Sequence, residues 1–430
     1  MPAKPTTLEQ WLEYIQSIHF RSLNLSLDRV RRVKYLLRLE RLPIIISIAG
    51  TNGKGSSAAM LESVLLSVGG SVGTYTSPHL THYGERIRIN GRSASDSQLV
   101  TAFAKVELAR ADIPLTYFEF GTLVALWLFQ KTGVQIAILE VGMGGRLDAV
   151  NIETPDVSLL TNVGIDHEQW LGVGKERIGT EKAGILRFQG LAVINDPDPP
   201  GSVIDRVRRL RCRYLLYGTD YQEMESEIHW DWMFCNPAIW SVTPEFGLPK
   251  PGLRGAHQVQ NAAGVVATLK LLSPVLSVSR GELEKGLKQS NIRGRLEIWS
   301  GSVEKIVDVC HNVAAVVCLG NYLSQQPVTG RTLVIFSMLK DKAAAAIVRE
   351  LKNSVDQWYL TEIAEERAMP LVELKTILSE AGETAVCSCR TPEVALSQSI
   401  EAARSGDRIV IFGSTYLAGA ILPLLDHENA

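Results

Sequence analysis

The stretch that decides the fold is Ile44-Ile45-Ile46-Ser47-Ile48-Ala49-Gly50-Thr51-Asn52-Gly53-Lys54-Gly55-Ser56-Ser57. Its first six residues are apolar on both faces and rich in β-branched side chains, which is typical of a strand buried inside a parallel sheet. A glycine-rich turn follows, and the pattern then predicts a helix from Ser57 to about Ser67. Strand, glycine turn and helix in this order are the setting of a phosphate-binding loop.

The chemistry of the turn supports that interpretation. Glycines let backbone N–H groups approach phosphate oxygens, the start of a helix favours an anion, and Lys54 supplies a positive charge. The spacing Gly-x-x-Gly-Lys-Gly-Ser departs from the common Gly-x-x-x-x-Gly-Lys-Ser/Thr form. A glycine turn that binds nothing therefore stays open as the alternative.

The pattern of a buried strand followed by a helix recurs along the chain. Further buried strands are predicted at 72–75, 136–141 and 157–161, with helices at 99–109 and 121–131 between them. This alternation predicts a parallel α/β sheet with right-handed crossovers. Residues 212–250, which mix tryptophans, prolines and alternating polar residues, predict a small β-rich excursion.

The alternation begins again after Arg295, with a strand at 305–309, a helix at 314–325 and a strand at 332–336. The predicted fold class is α/β, with two domains. An N-terminal parallel-sheet P-loop ATPase domain with the small β excursion covers 1–292, a linker covers 293–300, and a smaller α/β C-terminal domain covers 301–430.

Composition limits the classes of function. The chain has 430 residues, enough for two or three domains, and 46% of them are hydrophobic and 21% charged, as in a soluble globular protein. A net charge of -2 gives no overall field that would favour nucleic acid or an anionic membrane. Six cysteines match no zinc or disulfide spacing, and no apolar run approaches the length that spans a bilayer. We expect a cytoplasmic monomer.

Polar side chains follow the predicted strands at the edge of the sheet where ligands collect in open α/β folds. Ser77 follows the strand at 72–75, Glu140 ends the strand at 136–141, and His167 follows the strand at 157–161. Mg²⁺ prefers hard oxygen ligands together with phosphate oxygens and water. Glu140 is thus the expected Mg²⁺ ligand, with a capping or salt-bridged glutamate as the alternative. Taken alone, Lys182 would be interpreted as a surface lysine.

These motifs together resemble the Mur ligase superfamily and, within it, the dihydrofolate synthase/folylpolyglutamate synthase family, over nearly the whole chain. The motifs that carry the resemblance, in the family's order, are Ala49-Gly50-Thr51-Asn52-Gly53-Lys54-Gly55, Thr76-Ser77-Pro78-His79-Leu80, Glu85-Arg86-Ile87, the run from Glu140 to Ala149, Asp166-His167, Glu181-Lys182-Ala183-Gly184 and Asp308-Val309-Cys310-His311-Asn312. Two residues depart from the family pattern: Val313 stands where proline is common, and Gln258 where a wider set of ligases has asparagine.

The resemblance implies a set of site residues. ATP would be held by Thr51, Asn52, Gly53, Lys54, Gly55, Ser56, Asn261, Arg295 and Asp308; one Mg²⁺ by Ser77 and Glu140 and a second by His167; and Lys182 would be carbamylated. The resemblance also places Lys54, Lys182, Asp308 and His311 in the catalytic machinery, and His311 and Ser414 near the incoming glutamate. Which of Asp308 and His311 orients or deprotonates the glutamate amine stays open.

The resemblance further implies a pterin site. Its residues would be Ser22, Leu23, Asn24 and Leu25 in the N-terminal loop, with Thr116, Tyr117, Phe118, Glu119, Leu147, Asp148 and Ala149. Tyr117 and Phe118 could stack on a flat ring, although two core aromatics at the start of a helix are the alternative. The expected activity is ATP-dependent joining of L-glutamate to dihydropteroate and to reduced folates through an acyl phosphate.

Three other interpretations compete with this one. A peptidoglycan-type ligase would share the fold and the chemistry, and a monofunctional folylpolyglutamate synthase would differ only in its first substrate. A non-enzymatic nucleotide switch would usually carry an Asn-Lys-x-Asp base-reading motif, which this sequence lacks.

Overall fold

The computed structural model describes residues 5–18, 26–237 and 242–428. Contacts divide the chain into two compact units, one within residues 1–252 and 258–291 and the other within 253–257 and 292–430. The second unit thus includes a short earlier segment, 253–257. The predicted domain boundary at 292 placed this segment in the first domain. The sequence also assigned 293–300 to a linker, whereas 297–299 form a strand of the second unit's sheet.

The first unit contains α-helices on a large sheet, with a separate small sheet. Its helices are α1 (Leu8–Ser17), α2 (Asp28–Leu36), α3 (Lys54–Ser67), α4 (Asp96–Arg110), α5 (Tyr117–Lys131), α6 (Glu168–Leu171), α7 (Lys175–Lys182), α8 (Gly201–Arg209), α9 (His257–Leu272) and α10 (Arg280–Gln289), with 3-10 turns at Tyr83–Arg86, Ala149–Ile152 and Ala183–Ile185. Its strands are β1 (Ile44–Ala49), β2 (Val72–Tyr75), β3 (Ile87–Ile89), β4 (Arg92–Ser93), β5 (Ile136–Glu140), β6 (Val157–Leu160), β7 (Leu191–Ile194), β8 (Arg213–Leu216), β9 (Tyr221–Glu225), β10 (His229–Phe234) and β11 (Glu245–Pro249).

The large sheet has eight strands in the order β4-β3-β2-β5-β1-β6-β7-β8. All neighbours pair in parallel from β2 to β8, and β3 and β4 form an antiparallel edge. Strand β1 lies inside this sheet, with Ile46 paired to Ile138 of β5 and to Val157 of β6. Its isoleucines at 45, 46 and 48 are fully buried. The prediction of a parallel α/β sheet around this strand is confirmed.

Residues 212–250 are only partly the small β excursion that the sequence predicts. Strand β8 completes the large sheet, because its residues pair in parallel with β7. Strands β9, β10 and β11 form the separate antiparallel sheet in the order β11-β10-β9. Trp232 of β10 is buried and donates its indole N–H to Ala263 O of α9 at 3.0 Å, which attaches the small sheet to the rest of the unit.

The second unit is a smaller α/β fold. Its helices are α11 (Val313–Gln325), α12 (Ala344–Leu351), α13 (Leu371–Glu380), α14 (Pro392–Ala402) and α15 (Thr415–Glu428), with a 3-10 turn at Lys352–Ser354. Its strands are β12 (Glu297–Trp299), β13 (Glu304–Val307), β14 (Thr332–Phe336), β15 (Gln357–Thr361), β16 (Val386–Cys389) and β17 (Arg408–Phe412), in the sheet order β12-β13-β17-β14-β15-β16. Only the β12–β13 pair is antiparallel.

The core of this second unit is built on aromatic side chains from three neighbouring strands. The rings of Phe336 and Phe412 lie 5.1 Å apart, and Trp358 packs edge-on against Phe336. None of the helices in the described part of the chain combines the length and the apolar character that crossing a membrane requires.

Helix α10 packs closely against α3, the helix that follows the glycine turn. A Cβ atom on Gly286 would lie 2.3 Å from the backbone Cα of Val64, a distance that no side-chain rearrangement can relieve. Gly286 therefore sets how closely the two helices approach.

We predict that Gly286→Ala destabilises the protein by about 1–3 kcal/mol, the usual cost of an overpacked core. The matched control is Gly281→Ala in the same helix, where an added Cβ meets nothing within 4 Å. That change should leave stability equal or raise it by up to about 1 kcal/mol, because alanine favours a helix over glycine. Urea unfolding curves measure both, and an equal effect of the two changes would contradict the packing argument.

Candidate functional site

The carboxyl ends of three neighbouring strands bring the phosphate-loop residues and the predicted metal ligands to one edge of the large sheet. Val141 N, just after β5, donates to Ile48 O, and Thr161 N, just after β6, donates to Ala49 O, both at 2.9 Å. The segments that follow β1, β5 and β6 therefore start side by side. Ligands bind at this edge in open α/β sheets.

The glycine turn after β1 has the backbone that a phosphate-binding loop needs. Gly53 has a φ of 82°, and a Cβ there would lie 2.5 Å from Asn261 Oδ1 of α9. Helix α3 begins at Lys54 with no side-chain cap, and its first backbone bond runs from Ser57 N to Gly53 O at 2.9 Å. The amides at the start of the helix thus point out of its N-terminus, where the helix dipole favours an anion.

Asn162 holds this turn in place, although no motif in the sequence marks it as a site residue. Its side-chain oxygen accepts from Thr51 N at 3.2 Å and from Asn52 N at 2.9 Å. The Thr51 hydroxyl in turn donates to Gly164 O and accepts from Gly164 N. The only sequence signal for Asn162 is its place after a buried strand, which many polar residues share.

Two lysines lie close enough to influence each other. Lys54 Nζ donates to Gly50 O at 2.9 Å and to Thr51 O at 3.2 Å. Lys182, at the end of α7, is only 5% exposed, so the surface-lysine interpretation is wrong. Burial lowers the pKa of Lys182 well below its usual value, the charge of Lys54 lowers it further, and Asp166 opposes both. Burial and the neighbouring charge of Lys54 thus both favour the neutral amine of Lys182 over its ammonium form.

The predicted metal ligands lie around the same edge. Glu140 is 4% exposed, and its carboxylate accepts from Ser77 N at 3.1 Å. His167 precedes α6 in a left-handed conformation, with φ 55°, and its Nε2 lies 3.8 Å from Asp166 Oδ2. Among the described residues no three His, Cys, Asp or Glu side chains cluster as a ready-made metal cage. A few hard ligands beside a phosphate loop suit Mg²⁺, which takes its other ligands from phosphate and water.

The glycine-rich segment after β5 is fastened by Asp148. The Asp148 carboxylate accepts from Met143 N at 2.9 Å and from Val150 N at 3.1 Å. Burial raises the pKa of Asp148 to about 7 despite these backbone donors. These hydrogen bonds fix the backbone of the segment that also contains Leu147 and Ala149.

The other residues predicted to bind the pterin make different kinds of contact in the structure. Thr116 and Glu119 cap α5: Thr116 N donates to Glu119 Oε2 at 2.8 Å, and Glu119 also pairs with Arg29 at 2.8 Å. Phe118 occupies the space beside Gly142, where a Cβ would lie 2.7 Å from its ring. Tyr117 is partly buried, edge-on to Tyr83. Ser22, Leu23, Asn24 and Leu25 lie outside the described residues.

Arg86 is a further residue of this region that carries no predicted role. Its guanidinium lies 5.5 Å from the ring centres of both Tyr83 and Tyr117. Arg86 Nε donates to His79 Nδ1 at 2.7 Å. Burial, helped by the charge of Arg86, lowers the pKa of His79 to about 4, so the histidine is a neutral acceptor at physiological pH. The sequence showed both residues in motifs but gave no sign of this contact.

In the second unit, predicted residues follow the adjacent strands β13 and β17. Asp308 accepts from Leu296 N at 2.9 Å and from Cys310 N at 2.7 Å, while Ser414 is buried and accepts from Tyr416 N at 3.0 Å. His311 Nδ1 lies 3.0 Å from Val309 O. Arg295 is partly buried beside Leu296. Val313, the departure from the family pattern, begins α11 after the capping side chain of Asn312.

Gln258, the second departure, has a visible function in α9. Its Oε1 accepts from Asn261 Nδ2 at 3.0 Å. This bond orients the Asn261 amide so that its oxygen is directed to Gly53.

Comparison with known proteins agrees with this architecture. The Mur ligase middle domain matches residues 48–269, and the Mur ligase glutamate ligase domain matches residues 294–415. The fold and the phosphate-loop site define the chain as an ATP-dependent ligase of the Mur class.

The similarity to known proteins also identifies one family within the Mur class of ligases. Dihydrofolate synthase/folylpolyglutamate synthase of Escherichia coli K12 is 34% identical over 430 residues, covering 100% of this chain and 98% of the relative. The structure of E. coli FolC in complex with DHPP and ADP aligns over 100% of both chains, with a TM-score of 0.92 and 33% identity. A bifunctional folylpolyglutamate synthase/dihydrofolate synthase with Mn, AMPPNP and L-glutamate bound aligns over 99% of both chains, with a TM-score of 0.90 and 34% identity. The chain belongs to the dihydrofolate synthase/folylpolyglutamate synthase family.

The raised pKa of Asp148 predicts a pH-dependent cost to stability. Between about pH 4 and about pH 7 the folded protein keeps this proton while the unfolded chain has lost it, so stability falls as pH rises through this window. Asp148→Asn removes that dependence. The free energy of unfolding of the variant, relative to wild type, should rise from about pH 4 to about pH 7 and then level off. Urea titrations across this range measure the difference, and a flat difference would show that Asp148 is ionised in the folded protein.

Proposed function

We propose that this protein joins L-glutamate both to dihydropteroate, giving dihydrofolate, and to reduced folates, giving their polyglutamates, at the expense of ATP. The observation that carries the proposal is full-length similarity to a synthase that bears both activities in its name. The site chemistry is consistent with it, since a phosphate loop, a buried carboxylate and a buried lysine with a lowered pKa occupy one sheet edge. Monofunctional folylpolyglutamate synthesis is the alternative that the assay below separates.

In the first step, the pteroate or folate carboxylate attacks the γ-phosphorus of ATP, forming an acyl phosphate and releasing ADP. We propose that the amides at the start of α3 and the Lys54 ammonium hold the phosphates during this transfer. Lys54 would exchange its present acceptors, Gly50 O and Thr51 O, for phosphate oxygens. Phosphoryl transfer depends mainly on such positioning and charge neutralisation.

Magnesium would bind at Glu140 and Ser77, with a second ion at His167, and would neutralise charge on the phosphates. The buried Glu140 carboxylate is already oriented by Ser77 N, so little rearrangement is needed to present an oxygen. The nucleotide and manganese in the related structure support this assignment. Asn162 has a positioning role in our proposal, because it fixes the turn that faces the phosphates.

In the second step, the α-amine of glutamate attacks the acyl carbon, phosphate leaves and the amine loses a proton. We propose that the strand ends of the second unit bind this glutamate, near Ser414 and His311. The Asp308 carboxylate is held by two backbone amides, and His311 Nδ1 lies 3.0 Å from Val309 O. The two backbone donors suit Asp308 to a fixed contact, and in our proposal His311 orients the amine.

We further propose that Lys182 reacts with carbon dioxide to form a carbamate. The neutral amine attacks the carbon of CO₂, a C–N bond forms, and one proton is released. The lowered pKa of Lys182 favours the free base that this step requires. The resulting negative group would replace an unfavourable interaction with the Lys54 charge by a favourable one, and could also bind a metal ion.

The carbamate proposal predicts that Lys182→Arg abolishes ligase activity, because a guanidinium stays protonated and cannot react with CO₂. Lys175→Arg is the matched control: it lies in the same helix and pairs on the surface with Asp198. That variant should keep wild-type turnover. Wild-type activity should also fall in CO₂-depleted buffer and recover with bicarbonate. Full activity of Lys182→Arg would disprove the carbamate.

The proposed dual activity predicts that purified protein consumes ATP with glutamate when offered either dihydropteroate or tetrahydrofolate. Tyr117→Ala should weaken use of dihydropteroate by about 1–3 kcal/mol, by analogy with the stacking of a base on an aromatic ring. Phe118→Leu is the comparison, since Phe118 packs against Gly142 and should mainly affect stability. Coupled ADP release and mass spectrometry of the products measure both activities.

The outcomes of this assay separate the alternatives. Ligation of folate without ligation of dihydropteroate would leave the monofunctional synthase. Equal losses on both substrates in Tyr117→Ala would indicate one shared pterin site. Absence of turnover with either substrate would reject the folate proposal and leave another Mur-type amino-acid ligase.

A further inference from the structure

An arginine-rich segment lies at the end of α8 and has no part in the function described above. Residues 206, 208, 209, 211 and 213 are all arginine. Arg206 and Arg209, about one helical turn apart, line a cavity of about 330 Å³ together with Arg146 from the segment after β5. Three positive side chains therefore face one cavity, and among the described residues that line it Asp205 is the only acidic one.

The three arginines differ in how their charge is balanced. Arg146 is paired with Glu181, its Nη2 lying 2.9 Å from Glu181 Oε1. The guanidinium of the partly buried Arg206 forms no ion pair or hydrogen bond with any residue that the structure describes. Burial lowers the pKa of Arg206, and the charges of Arg209 and Arg146 lower it further. A partly buried cation that forms no ion pair, beside two more cations, is stabilised when an anion joins it.

The polar groups around the arginines do not provide that counter-charge. The hydroxyls of Thr180 and Ser202 both donate to Glu176 O, at 3.0 and 2.9 Å. The Glu176 carboxylate is directed away to the start of α8, where it accepts from Gly201 N and Ser202 N. The N-terminus of α8 is thus already capped by protein, and the arginine side chains are the donors left for a ligand.

We propose that this cavity is a second anion-binding site, distinct from the phosphate loop, for a compact ligand that carries several oxyanion groups. Guanidinium groups bind carboxylate and phosphate by paired, charge-assisted hydrogen bonds. Two sources share this chemistry: the carboxylates of a γ-linked glutamyl chain, and free phosphate or pyrophosphate. The glutamyl chain as a ligand rests on the proposed ligase activity, whereas phosphate does not, and the residues of the site lie outside the phosphate loop and the predicted substrate contacts.

The cavity is also placed where a bound anion could influence the catalytic region. Arg146 directly precedes Leu147, and Gly184 lies two residues after Lys182; both line the cavity. A Cβ on Gly184 would lie 2.4 Å from Arg146 Cα, so these two segments touch. An anion that competes with Glu181 for Arg146 would act on the backbone that carries both segments.

Calorimetric titration with two probes, pyrophosphate and γ-linked triglutamate, tests the proposal, with excess ADP present to saturate the phosphate loop. Wild type should bind at least one probe, and added salt should weaken binding. The double variant Arg206→Gln/Arg209→Gln should bind on the order of tenfold or more weakly, since it loses charge-assisted hydrogen bonds. Arg208→Gln is the matched control: it lies in the same helix, is exposed and does not line the cavity. It should bind like wild type.

The probes identify the source of the anion, since binding of triglutamate alone indicates a glutamyl chain and binding of pyrophosphate alone indicates phosphate. ADP affinity, measured separately in each variant, reports on the phosphate loop and thus on the proposed function. Should the double variant fail to fold, Arg209→Gln alone decides the question, because Arg209 is exposed. No probe binding by wild type, or equal affinity in wild type and the arginine variants, overturns the proposal.

Discussion

Strand β1 is hydrogen-bonded to β5 on one side and to β6 on the other, and this central position determines where the polar residues of the first unit lie. Because all three strands run in the same direction, the glycine turn, Glu140 and the segment with Asn162 start at one edge. The strand is buried on both faces, so a shift of register would disrupt the packing of its isoleucines on both sides of the sheet. The core thus fixes the position of a turn that has few side chains of its own to hold it.

Buried ionisable groups are concentrated at this edge. Each of them offsets the loss of hydration in a different way. Glu140 and Asp148 accept backbone N–H groups, and burial still raises the pKa of Asp148 to about 7. Burial lowers the pKa of Lys182 well below its ordinary value, which favours the neutral amine over the cation. His79 is likewise kept neutral, as an acceptor for Arg86. Perturbed pKa values are common at functional sites, and here they accompany the phosphate-loop geometry.

In the cavity at α8, the charged side chains are not all paired with an opposite charge. Arg146 has Glu181 as its partner, whereas Arg206 forms no ion pair with any residue that the structure describes. Helix α8 is otherwise well anchored, since Glu176 caps its start and Val203 and Val207 are buried. The arginines therefore stand on a rigid element, which favours recognition of a ligand over adaptation to solvent.

The sequence by itself determined the class of fold and the candidate chemistry. Strands β1, β2 and β14 have the predicted bounds, because short apolar runs that are buried on both faces produce a strong local signal. Strand β8 was placed in the wrong sheet, since its pairing with β7 depends on distant residues that no local pattern contains. The same limit applies to Asn162, to the Arg86–His79 contact and to the burial of Lys182. Only the tertiary structure decided these, because burial, hydrogen-bond partners and shifted pKa values arise from groups far apart in the chain that folding brings together.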